Sequence, residues 1–390
     1  MAITNNKITW QIASANLFYW AGVYLFLPVL PLWYNKLGMS GEELGIAIGM
    51  YSLGSLSFRI LAGRIADYYG HQKVTVISMI TTLLTILAYF FVNNYFSILF
   101  FRFLHGMSGA GYSSASSAAV TLVNHDDKVK DAISLYTLLS MIGISLSTSL
   151  AIYLYHIGNI NLIISCSFAT TLLSVAIFTR KNLPIQSRQN TSESLSVREI
   201  ILNSKIYIPT INQFSIYLCY GCLMTFLPLI INSQGKEKYL TIYYLVYAIS
   251  IVFSRVFITK ISNLMSVNTL VTYILFLLSA TMLLTIHIDL SSIILLGVGI
   301  GVCSGLGTPV LASLIVANSK SSNRGTALGF FSMAIDLGIF SGSVIMGLLV
   351  QNLGFHSMYL IVFILTVMNI AFYLNWIRNQ EKILTMATQS

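Results

Sequence analysis

Ala132-Ile133-Ser134-Leu135-Tyr136-Thr137-Leu138-Leu139-Ser140-Met141-Ile142-Gly143-Ile144 returns 195 positions later as Ala327-Leu328-Gly329-Phe330-Phe331-Ser332-Met333-Ala334-Ile335-Asp336-Leu337-Gly338-Ile339. Gly143 falls on Gly338, and at the same offset Gly106 falls on Gly301. Gly109 and Gly111 fall near Gly305 and Gly307, and Phe26-Leu27-Pro28 resembles Phe226-Leu227-Pro228 after a small insertion. The offset is half of the 390-residue chain, so one unit is written twice. The copies differ in kind at one place, Met141 against Asp336.

A chain that is 56% hydrophobic and only 8% charged, with a mean hydropathy of +0.79, cannot hide its apolar surface in one soluble core. Its solvent is lipid. A spanning helix needs about 20 apolar residues to cross a ~30 Å hydrocarbon layer, and the sequence supplies roughly a dozen such runs, from Gln11–Tyr34 and Leu44–Ile65 to Ala327–Val350 and Ser357–Trp376. The expectation is an all-α integral membrane protein of 12 transmembrane helices.

The formal charge of +9 would point a soluble protein toward nucleic acid, but here its distribution is topological. With both termini in the cytoplasm, the inner face receives Lys7, Arg64, Lys73, Lys128, Lys130, Arg180, Lys205, Lys260, Arg324 and Arg378 among others. The outer face receives Lys36, Lys236 and Lys238, which is the asymmetry of the positive-inside rule. A multi-pass protein of the cell membrane is expected, its partners the bilayer and a small solute, with no nucleic acid and a single chain as the working unit. The first run is long, carries Pro28 and Pro31 and lacks a small-residue cleavage site, so it reads as a helix and not a signal peptide. Cys166, Cys219, Cys222 and Cys303 all lie inside runs and read as buried thiols.

The one long polar interruption, from about Arg180 to Lys205, has the Pro, Ser and mixed charge of a solvated linker. It divides the chain into a first six-helix bundle at 1–180, a cytoplasmic linker at 181–206 and a second bundle at 207–390. Six is even, so the second bundle enters the membrane as the first does, and the repeat is parallel. Two such bundles around a central cavity can rock so that the cavity opens to one side at a time.

After the second span stands Gly63-Arg64-Ile65-Ala66-Asp67-Tyr68-Tyr69-Gly70-His71-Gln72-Lys73. It resembles the loop signature of the major facilitator superfamily, with Tyr68 and His71 where basic residues are usual. Gly63 would allow close helix packing and Gly70 a tight turn. The resemblance implies that Asp67 locks the cytoplasmic side by engaging the start of the eleventh span, near Gly325. In the fourth span, Arg102-Phe103-Leu104-His105-Gly106 with Gly109 and Gly111 resembles a second signature of that family, His105 standing where glutamine is common. Arg102 and His105 share a helix face and either point into the central cavity or, for Arg102, bond backbone carbonyls of its own half. The family's antiporter signature in the fifth span is reduced to Gly143 followed by Ser145, Ser147, Thr148 and Ser149.

Asp336 is the carboxylate that lies well inside a span, eleven residues from Gly325 and so roughly 16 Å along the helix. Against lipid it must be paired, protonated or wet. In the family the second and eleventh spans flank each other, which makes Arg59 the candidate partner. A gate latch, a proton or substrate site, and a static pair all remain open. Arg255, following Phe253-Ser254 as Arg59 follows Ser57-Phe58, is its repeat counterpart and reads as structural. Asn16, Trp20 and Tyr24 in the first span and Gln213, Tyr217 and Tyr220 in the seventh recur at helical spacing. The resemblance puts them around the cavity.

No nucleophile with its base and no cluster of metal ligands lies at membrane depth, and no phosphate-binding Gly-rich loop with lysine is present. The reading is a secondary transporter, not an enzyme, with no catalytic or metal residues, no cofactor and the proton motive force as energy source. The run Asp336-Leu337-Gly338-Ile339, Met346-Gly347, Leu353-Gly354-Phe355 and Met358-Tyr359-Leu360 is similar to bacterial efflux members of the family, of multidrug and metallophore type. That implies export of a drug or of a zwitterionic or anionic metabolite; uptake by symport and flipping of an amphiphile stay open as alternatives.

Overall fold

In lipid the backbone has no water to bond, so every apolar run must satisfy its amides internally, which a helix does. The computed structural model describes residues 7–92, 94–124, 128–180, 203–319 and 324–389 and contains no strand among them. Residues 181–202, most of the expected linker, lie outside the described residues.

The first pass is α1 (Lys7–Phe26), a 3-10 turn at Leu27–Val29 and α2 (Leu30–Lys36). Pro28 and Pro31 break it there, because each removes an amide from the helical ladder. There follow α3 (Gly41–Tyr69), α4 (His71–Ala88), α5 (Tyr95–Leu122), α6 (Val129–Ile157) and α7 (Ile160–Phe178). The second half supplies α8 (Ser204–Ser233), α9 (Glu237–Leu264), α10 (Val267–Leu283), α11 (Leu290–Ala317) and α12 (Arg324–Gln389). Polar residues just outside the apolar runs start the helices. Ser40 with Glu43 and Asp289 with Ser292 form capping boxes, and Asn94, Asn159, Asn203 and Ser266 accept from first-turn amides.

By length and composition, ten of these segments are able to cross a membrane. Two facts reconcile that number with twelve passes. The 28-residue α5 is long enough but diluted by Arg102, His105, serines and glycines, and α12 is two helices joined at Gly354, where φ is 77° and ψ 171°. That conformation belongs to glycine, so α12 has arms at 324–353 and 355–389.

The sequence repeat is also a repeat of contacts. Gly143 of α6 lies on the backbone of Leu17 in α1, and Gly338 of α12 lies on the backbone of Phe214 to Leu218 in α8. Gly106 of α5 faces the Tyr51 carbonyl of α3, and Gly301 of α11 faces the Tyr247 carbonyl of α9. A Cβ at any of these would strike backbone, which cannot yield as a side chain can. Across the seam between halves, α3 packs on α12 and α6 on α9.

Two faces can be told apart. Thr9 bonds Asn124, and Gln11 Nε2 donates to the Phe178 carbonyl at 2.9 Å, which gathers the Lys7, Asn124 and Phe178 ends on one face. On the opposite face Lys36 sits 4.7 Å from the Tyr155 ring centroid and Lys236 Nζ donates to the Ile288 carbonyl at 2.8 Å. The apolar core divides accordingly. One cluster joins both halves, and from the first half it takes Leu25 to Tyr34, Leu44 to Ile48, Ile86 to Ile98 and Ala151 to Ile164, all toward the Lys36 face. The rest of the first half forms two separate clusters with no member from the second half, the larger around Tyr19, Met79, Tyr112, Ala132 and Phe178 and a small one of Ala66, Val74 and Ala115. The halves are therefore closed on the Lys36 face and parted on the other.

Candidate functional site

The seam between α3 and α12 is tightest toward the Lys36 face. Gly45 meets the Ser343 carbonyl, Gly49 meets Val344 and Ser343, and Gly347 meets the backbone of Gly41 and Gly45. Small residues on both helices permit this approach. Further along, where the helices begin to part, the polar site stands. Arg59 of α3 donates to Asp336 Oδ2 of α12 through Nε at 2.9 Å and through Nη2 at 2.5 Å. Ser55, one turn before Arg59, donates to the same oxygen at 3.1 Å and accepts from Arg59 Nη2 at 3.0 Å. Asp336 is 6% exposed, whereas the Arg59 side chain retains 20%. Sequence reasoning named Asp336 and Arg59 but missed Ser55. Its signal was the i, i+4 spacing to Arg59, which puts both on one helix face.

Aromatic side chains surround the pair. Tyr24 and Tyr51 of the first half lie within electrostatic range of Asp336, and Tyr24 also of Tyr217 and Tyr220 across the seam. Tyr217 stacks edgewise on Tyr220 at 5.8 Å between centroids, and Trp20 on Tyr24 at 6.0 Å. Trp20, Tyr24 and Tyr217 are half-buried and Tyr220 is buried. These four gather near the seam.

Other expected cavity residues do not. Asn16 is fully buried within the first half, donating to the Tyr136 carbonyl of α6 at 3.0 Å and accepting from Tyr112 of α5 at 3.1 Å. Gln213 is buried too and donates to Thr308 of α11 at 3.1 Å. Arg102, 2% exposed, donates to the carbonyls of Ala47 at 3.3 Å and Ile48 at 3.1 Å on α3, with the Tyr51 ring 5.0 Å away. Its reach toward the cavity is replaced by a tie inside its own half, where carbonyl dipoles offset the desolvation of the guanidinium. His105 is 1% exposed, packed edge-on to Tyr51 at 5.3 Å, and neither ring nitrogen finds a partner among the described residues.

The loop signature behaves as a turn. Gly70 has φ 95° and ψ 134° and lets α3 reverse into α4. Gly63 meets no described residue where a Cβ would stand, so among the described residues it packs closely against no helix. Asp67 is 76% exposed and lies beside His71, Nε2 to Oδ1 3.6 Å, a pair that becomes ionic only when the imidazole is protonated, which the burial of His71 opposes; no described contact joins Asp67 to the start of α12 near Gly325, where the residues before Arg324 lie outside the described ones. The four cysteines are free, and Cys219, Cys222 and Cys303 are buried.

Comparison with known proteins agrees with this architecture. The family profile described as Major Facilitator Superfamily matches residues 12–301 and 269–384. The staphylopine export protein of Staphylococcus aureus is 25% identical over 347 residues, 85% of this chain and 86% of that one. A multi-drug resistance efflux pump PmrA homolog of Lactococcus lactis is 30% identical over 248 residues, 58% of this chain and 57% of that one. Among solved structures, a mutant of the nucleoside transporter NupG superposes with a TM-score of 0.80 at 12% identity, covering 95% of this chain and 99% of that one. A bacterial homolog of the human lysosomal transporter Spinster, inward-facing and unoccupied, gives 0.72 at 11% identity over 94% and 95%. At such identities the two structures speak for the fold alone.

Proposed function

The chain belongs to the major facilitator superfamily, and from that premise we propose that it exports a small organic solute from the cell by alternating access, in exchange for entering protons. Family membership makes it a multi-pass membrane transporter and not an enzyme. The finer reading rests on one observation, a carboxylate buried at membrane depth whose partners, Arg59 and Ser55, belong to the other half of the molecule.

A carboxylate in that position has two stable conditions. Ionised, it holds the guanidinium and ties α3 to α12; protonated, it loses most of its attraction for Arg59 and frees the seam. Protonation and rocking are thereby coupled through the same bond, because a ligand shifts a two-state equilibrium only by its differential affinity for the states. With the termini in the cytoplasm, as the Lys and Arg distribution argues, the parted face is the inner one and the cavity is open to the cytosol. Solute loaded there and released on the other side is export, the direction carried by the names of the staphylococcal and lactococcal relatives. Protein in the cell membrane acting as a single chain is enough for this cycle, since the cavity lies between its own halves.

The test compares metabolites inside and outside cells with and without the protein, alongside the Asp336→Asn variant. Selective accumulation outside that depends on Asp336 supports proton-coupled export. Depletion of an external solute that depends on the protein would replace export by uptake.

A further inference from the structure

The halves differ most where the repeat makes them comparable. On α3, Tyr51, Ser55 and Arg59 follow at four-residue steps, and 196 positions later α9 carries Tyr247, Ile251 and Arg255 at the same steps. The packing agrees, since Gly106 faces the Tyr51 carbonyl and Gly301 the Tyr247 carbonyl. Arg59 lies ten residues from the end of α3 and Arg255 nine from the end of α9, so both stand roughly 14–15 Å from the same face.

Their partners are another matter. Arg59 has the Ser55 hydroxyl on its own helix and the Asp336 carboxylate on the facing one. The counterpart of Ser55 is Ile251, and the counterpart of Asp336 is Met141 on α6, the helix that α9 packs against across the second seam. The cation is kept while both acceptors are replaced by apolar groups.

Among the described residues Arg255 is accordingly without an anion. Its Nε is buried with no hydrogen-bond partner, and among the described residues no carboxylate pairs with it. Its electrostatic neighbours are Tyr217, on the cavity-facing side of α8, and Tyr247. A guanidinium at membrane depth is costly even before pairing is considered. The chain answers that cost at Arg102 with two carbonyls and at Arg59 with a carboxylate and a hydroxyl. At Arg255 no described residue supplies an acceptor, while the residue stays beside the aromatic lining of the seam.

We infer that Arg255 is the docking point for a carboxylate carried by the solute, with the Tyr217 and Tyr247 rings against the solute's apolar body. The planar guanidinium suits a carboxylate because it donates two parallel hydrogen bonds. This assigns the substrate class as anionic or zwitterionic organic acids and rests, for the word substrate, on the transport reading above. The two arginines then divide the work: Arg59 holds an internal carboxylate, and Arg255 an external one.

Full-length protein in lipid nanodiscs is titrated calorimetrically with 4-phenylbutyrate and with 4-phenylbutyramide, which differ in charge but little in shape. The acid is expected to bind roughly tenfold or more tightly than the amide, the effect of one charge-assisted hydrogen-bond pair. Arg255→Gln should abolish that preference and Arg255→Lys retain part of it, with unchanged melting temperatures showing that both variants fold. A wild-type protein that binds the acid no better than the amide overturns the inference, as does a preference that survives in Arg255→Gln. Expected binding without export from cells would remove the transport reading and leave the anion site standing. Export confined to solutes without an acidic group, unaltered in Arg255→Gln, would do the reverse.

Discussion

The Arg59 guanidinium closes on a single oxygen of Asp336, through Nε and Nη2 together, and the Ser55 hydroxyl meets the same oxygen. Two halves of one chain, 277 residues apart at this bond, are thus joined by a contact that a single proton can weaken.

Removing one partner of this pair should be worse than removing both. Arg59→Gln or Asp336→Asn alone leaves an uncompensated charge, at a cost below the ~3–5 kcal/mol of a fully buried pair because Arg59 is one-fifth exposed. The double variant is expected to recover most of that loss. Thermal unfolding in detergent for the four proteins of the cycle measures it, and a double variant destabilised by the sum of the two singles would show that the pair contributes no coupling.

In proteoliposomes with an imposed pH gradient, Asp336→Asn should abolish gradient-driven transport while leaving downhill exchange of solute. Unaltered driven transport would remove Asp336 from the mechanism.

Arg102→Ala is expected to act on stability and not on solute preference. It strips two carbonyls, of Ala47 and Ile48, of their buried donor, so a loss of about 1–3 kcal/mol follows. Melting temperature should fall while the relative affinities of different solutes hold. A changed preference with normal stability would return Arg102 to the cavity.

Gly45→Val and Gly49→Val should hold the α3–α12 seam apart on the Lys36 face, since a side chain there meets Ser343 and Val344. The population then shifts toward the alternative closure. Ile60, now 59% exposed on the parted side, reports it: in an Ile60→Cys, Cys166→Ser background, labelling of the cysteine should slow several-fold. Unchanged labelling would mean that this contact does not set the conformation.

Gly70→Ala forces φ 95° and ψ 134° on a residue with a Cβ and should cost about 1–3 kcal/mol. Gly63→Ala, in open space, should leave stability unchanged in this conformation. Unfolding temperatures of the two variants separate a structural turn from a packing glycine.

Much of the fold was legible because lipid makes hydropathy and the position of Lys and Arg decisive. The doubling was legible in Gly143 and Gly338, whose reason is now visible in the backbones of Leu17 and Phe214–Leu218. Asp336 and Arg59 were legible because charge at membrane depth demands a partner. Asn16 and Gln213 turned inward, and Arg102 stayed open between two readings, for a common cause: helical spacing tells which residues share a face, but not whether that face meets the cavity or a neighbour within the same half. Arg102 shows it best, since its carbonyl partners Ala47 and Ile48 offer no signal in their side chains. Ser55 was overlooked, and Arg255 was read as merely structural, because their importance is relational. It emerges only when the two halves are superposed and the lost acceptors at Ile251 and Met141 are seen.

The unequal division of the apolar core sets a preference of its own. On one face the halves share a continuous hydrophobic body, and on the other each keeps its interior to itself. Opening the shared face must wet that body; opening the other wets far less. With no solute and no gradient, the molecule therefore idles with its mouth toward the terminal side, and its occupancy follows the concentration found there.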